Sequence, residues 1–254
     1  MQALAHGSRH HDIEDVDPSE FGERSAWRAA RFADRRHAGR LLAQRLHSYA
    51  RRADVIVLAL PRGGVPVGFE VAMALEVPLD VLVVRKLGVP GHRELAMGAI
   101  SSHGTRVLNE DVIASLGISA EVIEAVTREE LGVLRERERA YRGDREPVRV
   151  RARSVIVVDD GIATGATVRA ALRALRSQEP ARIAVAVPVS AESTRAELMA
   201  IADDVVCVVT PEMLFAVGQW YVNFSETTDV EVRTLLDRVR HEQPLVAWEV
   251  DDGA

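Results

Sequence analysis

Cysteine is almost missing from this chain: Cys207 is the single one among 254 residues. One thiol excludes an internal disulfide, a CxxC redox pair and a zinc site built from several thiolates. Lysine is equally scarce. Lys86 stands alone, and the other 31 of the 32 basic residues are arginine. In such a chain a lone lysine is either chance or a place that needs a compact, flexible ammonium. Aromatic residues make up only 4%. No apolar run approaches the ~18 residues of a membrane helix; the longest are broken at Pro61-Arg62 and at Pro188. The opening MQALAHGSRHHDIEDVD is acidic and lacks an apolar stretch, so neither a signal nor a transit peptide is expected. Acidic residues outnumber basic ones 38 to 32, a formal net charge of −6 with a pI near 5.8. That balance gives no whole-chain attraction for nucleic acid or anionic lipid, so neither is expected as a partner. What remains, 47% hydrophobic and 28% charged with a mean hydropathy of −0.01, is the composition of a globular, cytoplasmic protein.

Three segments follow from composition. Residues 1–23 are polar and aperiodic and read as a disordered arm, in which His6, His10 and His11 lack a rigid frame for a metal. Residues 24–240 read as one domain, and 241–254 as a tail. Within the domain, Phe32, Leu41, Leu42, Leu46 and Tyr49 recur at helical spacing up to about Ala53. Val55 to Leu60 is a continuous apolar run, the pattern of a strand covered on both faces. A helix follows from about Val65 to Leu75, then a second buried run from Leu79 to Val84 that ends at Arg85-Lys86. Residues 87–94, LGVPGHRE, read as a mobile loop, and 95–100 with 105–108 as a hairpin turning at Ser101–Gly104. Residues 119–142 form a charged helix with a solvated face. Strand 155–158, helix 168–177, strand 182–188, helix 191–202 and strand 205–209 complete the series. Strands alternating with helices predict an α/β fold: a single open, mostly parallel sheet with helices on both faces.

In such sheets ligands bind beyond the carboxyl ends of the strands. Three of those ends carry unusual residues: PRGG at 61–64, Arg85-Lys86, and DDGIATGAT at 159–167. The last is the most informative. Small residues let the amides of 163–167 point into one space, and the following helix adds the positive end of its dipole. Thr164 and Thr167 add hydroxyl donors. The result is a socket for a phosphate, while Asp159 and Asp160 suit the hydroxyls of a sugar beside it. Together they describe a ribose 5-phosphate. The alternative, a plain turn followed by a Thr164 helix cap, leaves the paired acids and the run of small residues unexplained. The loop lacks the GxxxxGK[ST] pattern, and the chain carries neither a GxSxG elbow nor an HExxH helix, so an ATPase or hydrolase is not expected.

VIVVDDGIATGAT resembles the ribose-phosphate motif of the type I phosphoribosyltransferases. LALPRGG resembles that family's pyrophosphate loop, and Arg85-Lys86 with its Gly/Pro segment resembles the opening of its flexible lid. The resemblance spans roughly residues 32 to 225 and is nearest to a bacterial group whose acceptor base is unassigned. It implies that Asp159 and Asp160 accept hydrogen bonds from the ribose 2- and 3-hydroxyls of phosphoribosyl pyrophosphate. Ala163, Thr164, Gly165, Ala166 and Thr167 would hold the 5-phosphate. Arg62, Gly63 and Gly64 would approach the pyrophosphate, the glycines permitting an unusual backbone there. Arg85 and Lys86 would act catalytically by neutralising the leaving group. Mg2+ would arrive mainly on the pyrophosphate oxygens, with no metal site of the protein's own. The implied reaction is displacement of pyrophosphate by a ring nitrogen through an oxocarbenium-like state. One position departs from the pattern: members that act on 6-oxopurines usually carry an acid where this chain has Ala163, which argues against hypoxanthine or guanine unless the acid comes from elsewhere in the chain.

The resemblance also implies a small hood over the acceptor. Phe215, Trp220, Tyr221 and Phe224 crowd into ten residues; as a group they suit a core corner or a homodimer contact, with Trp220 or Tyr221 the candidates to stack a base. His92 and His103 flank the lid as acid–base candidates or as solvated loop residues. The competing function is a non-catalytic sensor of phosphoribosyl pyrophosphate or nucleotide on the same fold. A lid that excludes water serves an oxocarbenium and not a sensor, so the pair at 85–86 favours catalysis.

Overall fold

The structure, a computed structural model, describes residues 31–101 and 105–243, apart from the side chains of Arg93 and Glu94. The arm at 1–23, the turn at 102–104 with His103, and the tail beyond 243 lie outside the described residues.

Five parallel strands make the central sheet: β1 (Val55–Ala59), β2 (Leu79–Val81), β6 (Ser154–Val158), β7 (Arg182–Val189) and β8 (Asp204–Val209), in the order β2-β1-β6-β7-β8. The continuous apolar runs are explained by the two cores they separate. Val55, Val57 and Ala59 of β1 enter one core with Ile156 and Val158 of β6; Ile56 and Leu58 enter the other with Val155 and Val157. The first core is closed by helices α1 (Arg35–Arg45), α2 (Gly64–Leu75), α4 (Ala120–Arg142) and α7 (Asp229–Glu242), the second by α5 (Ala166–Arg176) and α6 (Glu192–Met199). With period-2 alternation and helices on both sides, both faces of β1 are apolar. The expected open α/β sheet is the one observed.

A second, antiparallel sheet holds β3 (Val84–Val89), β4 (His92–Ser101) and β5 (Arg106–Leu108). Here the reading of 79–94 is corrected. The run from Leu79 is a three-residue strand, and Arg85-Lys86 do not end it but lie inside β3. Residues 87–89 are strand, not mobile loop, with register shifts around Gly88. Pro90-Gly91 form the tight turn, Gly91 taking a φ of +80°. Pro followed by a left-handed Gly is the chemistry of a type II turn, so the residues that suggested a loop close a hairpin instead. The helix at 119–142 shows its charged face outward, yet buries Ile123, Leu134, Tyr141 and Arg142. Arg142 meets the fully buried Asp80 at 2.8 Å, and Asp80 also accepts from the amides of Val81 and Val148, so the buried pair is well satisfied. α3 (Glu110–Leu116) and α7 had no counterpart in the sequence reading, and α7 carries the fold past the expected boundary at 240.

Candidate functional site

The loop from β6 to α5 is held by its carbonyls. Thr194 of α6 donates to the Ala163 carbonyl at 2.8 Å, and Arg169 to that of Thr164 at 2.6 Å. The Ile162 amide bonds to Val189. Among the described residues the amides of Ala163, Thr164 and Gly165 donate to no protein acceptor. Those of Ala166 and Thr167 belong to the first helical turn, which has no intrahelical partner. Thr164, Ala166 and Thr167 are exposed at the helix's positive end, while Ala163 is half-buried and Gly165 buried. Gly165 takes φ +70°, and a Cβ there would lie 3.0 Å from Thr194, so glycine is required twice over.

Asp159 and Asp160 stand where the buried strand opens. Burial pushes both carboxyls up; Asp159 rises well above the ordinary range because the Asp160 charge adds to the effect. Arg35 at the start of α1 opposes this at Asp160, its Nε 2.8 Å from Oδ2. The Asp159 Oδ1 accepts from the Asp160 amide at 2.8 Å.

PRGG sits against these acids. A Cβ on Gly63 would lie 2.1 Å from the Asp160 Oδ2, and one on Gly64 would lie 2.7 Å from the Val158 carbonyl. Gly63 has an ordinary helical φ of −59°, so its lack of a side chain serves close approach to Asp160. The Pro61–Arg62 peptide is cis. The Arg62 guanidinium is ion-paired with Glu226 and lies 3.7 Å from Asp229.

Arg85 and Lys86, adjacent in a strand, face opposite ways. Lys86 is exposed and lines a cavity of about 360 Å³ with Ala166, Thr167 and Arg169 of α5 and the floor of the hairpin sheet. Arg85 instead binds Glu130 of α4 at 2.7 Å. Of this pair, expected to serve the leaving group, Lys86 lines the cavity beside the glycine-rich loop, while Arg85 points to α4.

The hood joins the N-terminal end of the described chain to the segment that follows β8. Phe32 and Ala33 exchange main-chain bonds with Trp220, Val222 and Asn223. Tyr221 is 1% exposed, its ring between Phe32 (5.4 Å) and Phe224 (4.9 Å), and its hydroxyl donates to the Asp160 carbonyl. Burial holds that phenol protonated. Tyr221 is thus a packing residue and not a base platform. Trp220 is half-buried against the same cluster, whereas Phe215 is 77% exposed. His92 is exposed at the start of β4. Arg35 was missed by sequence reasoning, because nothing local marks a partner 125 residues away. Among the described residues no helix is long and apolar enough to cross a membrane, and no three His, Cys, Asp or Glu are placed to hold a metal.

Residues 33–224 match the phosphoribosyl transferase domain family, and the chain belongs to that family. Over 211 residues, 83% of this chain, it is 49% identical to proteins of two Mycobacterium tuberculosis strains, H37Rv and CDC 1551, provisionally named phosphoribosyl transferases. The chain spans about half, 47%, of the length of these relatives. The crystal structure of TT1426 from Thermus thermophilus matches with a TM-score of 0.73 and 42% identity, covering 81% of this chain and 97% of that one.

Proposed function

We propose that this chain, a transferase by family, moves the 5-phosphoribosyl group of phosphoribosyl pyrophosphate onto a ring nitrogen of a nucleobase or related acceptor in the cytoplasm. The observation that carries the reading is one juxtaposition: free amides at 163–165 and a helix N-terminus on one side of Asp159-Asp160, and the PRGG turn in contact on the other. A phosphate in the loop would leave the sugar hydroxyls beside the two carboxylates and C1 toward Arg62 and Gly63. The C1–O bond to pyrophosphate breaks as the C1–N bond forms. Charge on the oxocarbenium-like centre is stabilised by position and electrostatics, with no covalent nucleophile. Mg2+ belongs to the substrate here, carried by pyrophosphate oxygens and water, as suits a hard cation. The protein's part is to bind the sugar through Asp159 and Asp160 and to set the Lys86 ammonium over the phosphate end. With Ala163 before the Thr-Gly step, acceptors other than hypoxanthine and guanine are expected.

The test is a pyrophosphate-release screen with phosphoribosyl pyrophosphate, Mg2+ and a panel of free bases. Release that depends on one base class supports the reading. Saturable binding without release on any acceptor would instead favour a sensor, and absence of binding would defeat both.

A further inference from the structure

The cluster around Arg35 has a role that hood packing does not explain. The side chain is only 12% exposed and is gripped at three points. Its guanidinium carbon lies 3.8 Å from the centre of the Phe224 ring, Nη1 donates to the Ser225 carbonyl at 2.6 Å, and Nε donates to the Asp160 Oδ2 at 2.8 Å. Phe224 is backed by Tyr221, and Tyr221 by Phe32. A continuous stack therefore runs through the hood and ends on one carboxylate. The Tyr221 hydroxyl holds the same residue by its main chain. Gly63 packs on the same oxygen: a Cβ there would lie 2.1 Å from Oδ2 and 3.3 Å from Oδ1. Oδ2 is enclosed between Arg35 and the PRGG turn, which leaves Oδ1 as the oxygen to meet a ligand. Among the described residues Asp159 has no ion-pair partner: its Oδ1 accepts the neighbouring amide, and Arg35 reaches it only through its field.

We infer that Arg35 is a positioning residue, acting through Asp160 to fix the acceptor of one ribose hydroxyl, so that the hood sets sugar recognition as well as covering the acceptor. The inference rests on the reading of Asp159 and Asp160 as sugar-binding acids. Its physical basis is preorganisation. A charged hydrogen-bond acceptor held in one orientation before binding loses less freedom when the ligand arrives. Among the described residues Asp160 interacts with Arg35, Asp159 and the Tyr221 hydroxyl, and Arg35 is the cation of the three. The stacked guanidinium is itself already immobile, as a lysine in its place would not be.

The experiment uses the full chain and four probes: ribose 5-phosphate, its 2-deoxy and 3-deoxy analogues, and inorganic phosphate. Wild type is expected to prefer ribose 5-phosphate over each deoxy analogue by about tenfold or more, the worth of a charge-assisted bond. In Arg35→Met one of the two preferences should fall below about threefold, the other should persist, and phosphate affinity should stay within about twofold. Arg35→Lys should recover part of the lost preference. Retention of both preferences in Arg35→Met would overturn the inference, as would an equal loss for phosphate, which marks a merely structural role. A wild type without either preference would overturn the sugar-acid reading itself, and the inference with it. Should Arg35→Met fail to fold, Arg35→Lys is compared in wild-type and Asp160→Asn backgrounds. An effect on the deoxy preference in the first only supports the inference, and an equal effect in both refutes it.

Discussion

Asp159→Asn separates stability from function at one atom of charge. In the folded chain burial and the Asp160 charge both oppose ionisation of Asp159, so the folded state keeps its proton to higher pH than the unfolded chain, whose carboxyl titrates near ~3.9. A raised acid pKa means that the native protein loses stability as pH rises from about 4 through the folded value. The neutral amide escapes that loss. At pH 7 the gain should be about 0.5–2 kcal/mol, the usual size of a single stabilising substitution. For a domain of this size that is a melting temperature higher by roughly 1–8 °C. Asp160→Asn should gain less or nothing. Burial also penalises that charge, but Arg35 binds it, and a charge-assisted bond is worth about 1.5–3 kcal/mol. Both variants should lose affinity for phosphoribosyl pyrophosphate by about tenfold or more. Thermal melting from pH 4 to 8 and titration calorimetry on the same samples measure the two halves. The reasoning fails if Asp159→Asn melts below wild type at pH 7, if its offset does not shrink toward pH 4, or if Asp160→Asn proves the more stabilising.

Other changes probe other links. Gly63→Ala puts a methyl into the Asp160 carboxylate, so melting should show a loss of about 1–3 kcal/mol and titration a loss of phosphoribosyl pyrophosphate affinity. Gly132, on the exposed side of α4 with nothing within 4 Å of a Cβ, should accept alanine with a gain of about 1 kcal/mol and unchanged ligand affinity. Lys86→Ala should lower turnover by about 10²-fold and weaken ribose 5-phosphate binding, since Lys86 shares a cavity with Thr167. Arg85→Met, which touches Glu130 and not that cavity, should leave ribose 5-phosphate affinity intact.

What the sequence disclosed and what it hid divide along physical lines. Strands buried on both faces announce themselves as unbroken apolar runs. The loop after β6 is legible because a plain turn before a helix needs neither paired acids nor a run of small residues. The place of Arg85 and Lys86 inside a strand is not legible, because Gly88, Pro90 and Gly91 signal a break in the chain without saying whether it is a loop or a hairpin turn. α7 could have been found: Val232, Leu235, Leu236 and Val239 repeat at helical spacing and are buried in the first core. Tyr221 and Arg35 could not. An aromatic ring reads alike in a core and in a binding site until its neighbours are known, and the Arg35–Asp160 pair joins segments 125 residues apart. At PRGG, contact and backbone freedom leave the same letter in a sequence, so the contact of Gly63 with Asp160 is visible only in the structure.

The most direct measurement is a crystal structure of the chain soaked in ribose 5-phosphate. The phosphate is expected within hydrogen-bond distance of the backbone amides at 163–167, with the 2- and 3-hydroxyls on the carboxylates of Asp159 and Asp160 and C1 toward Gly63. Density for the phosphate elsewhere, or a sugar that turns its hydroxyls away from both acids, would contradict the account.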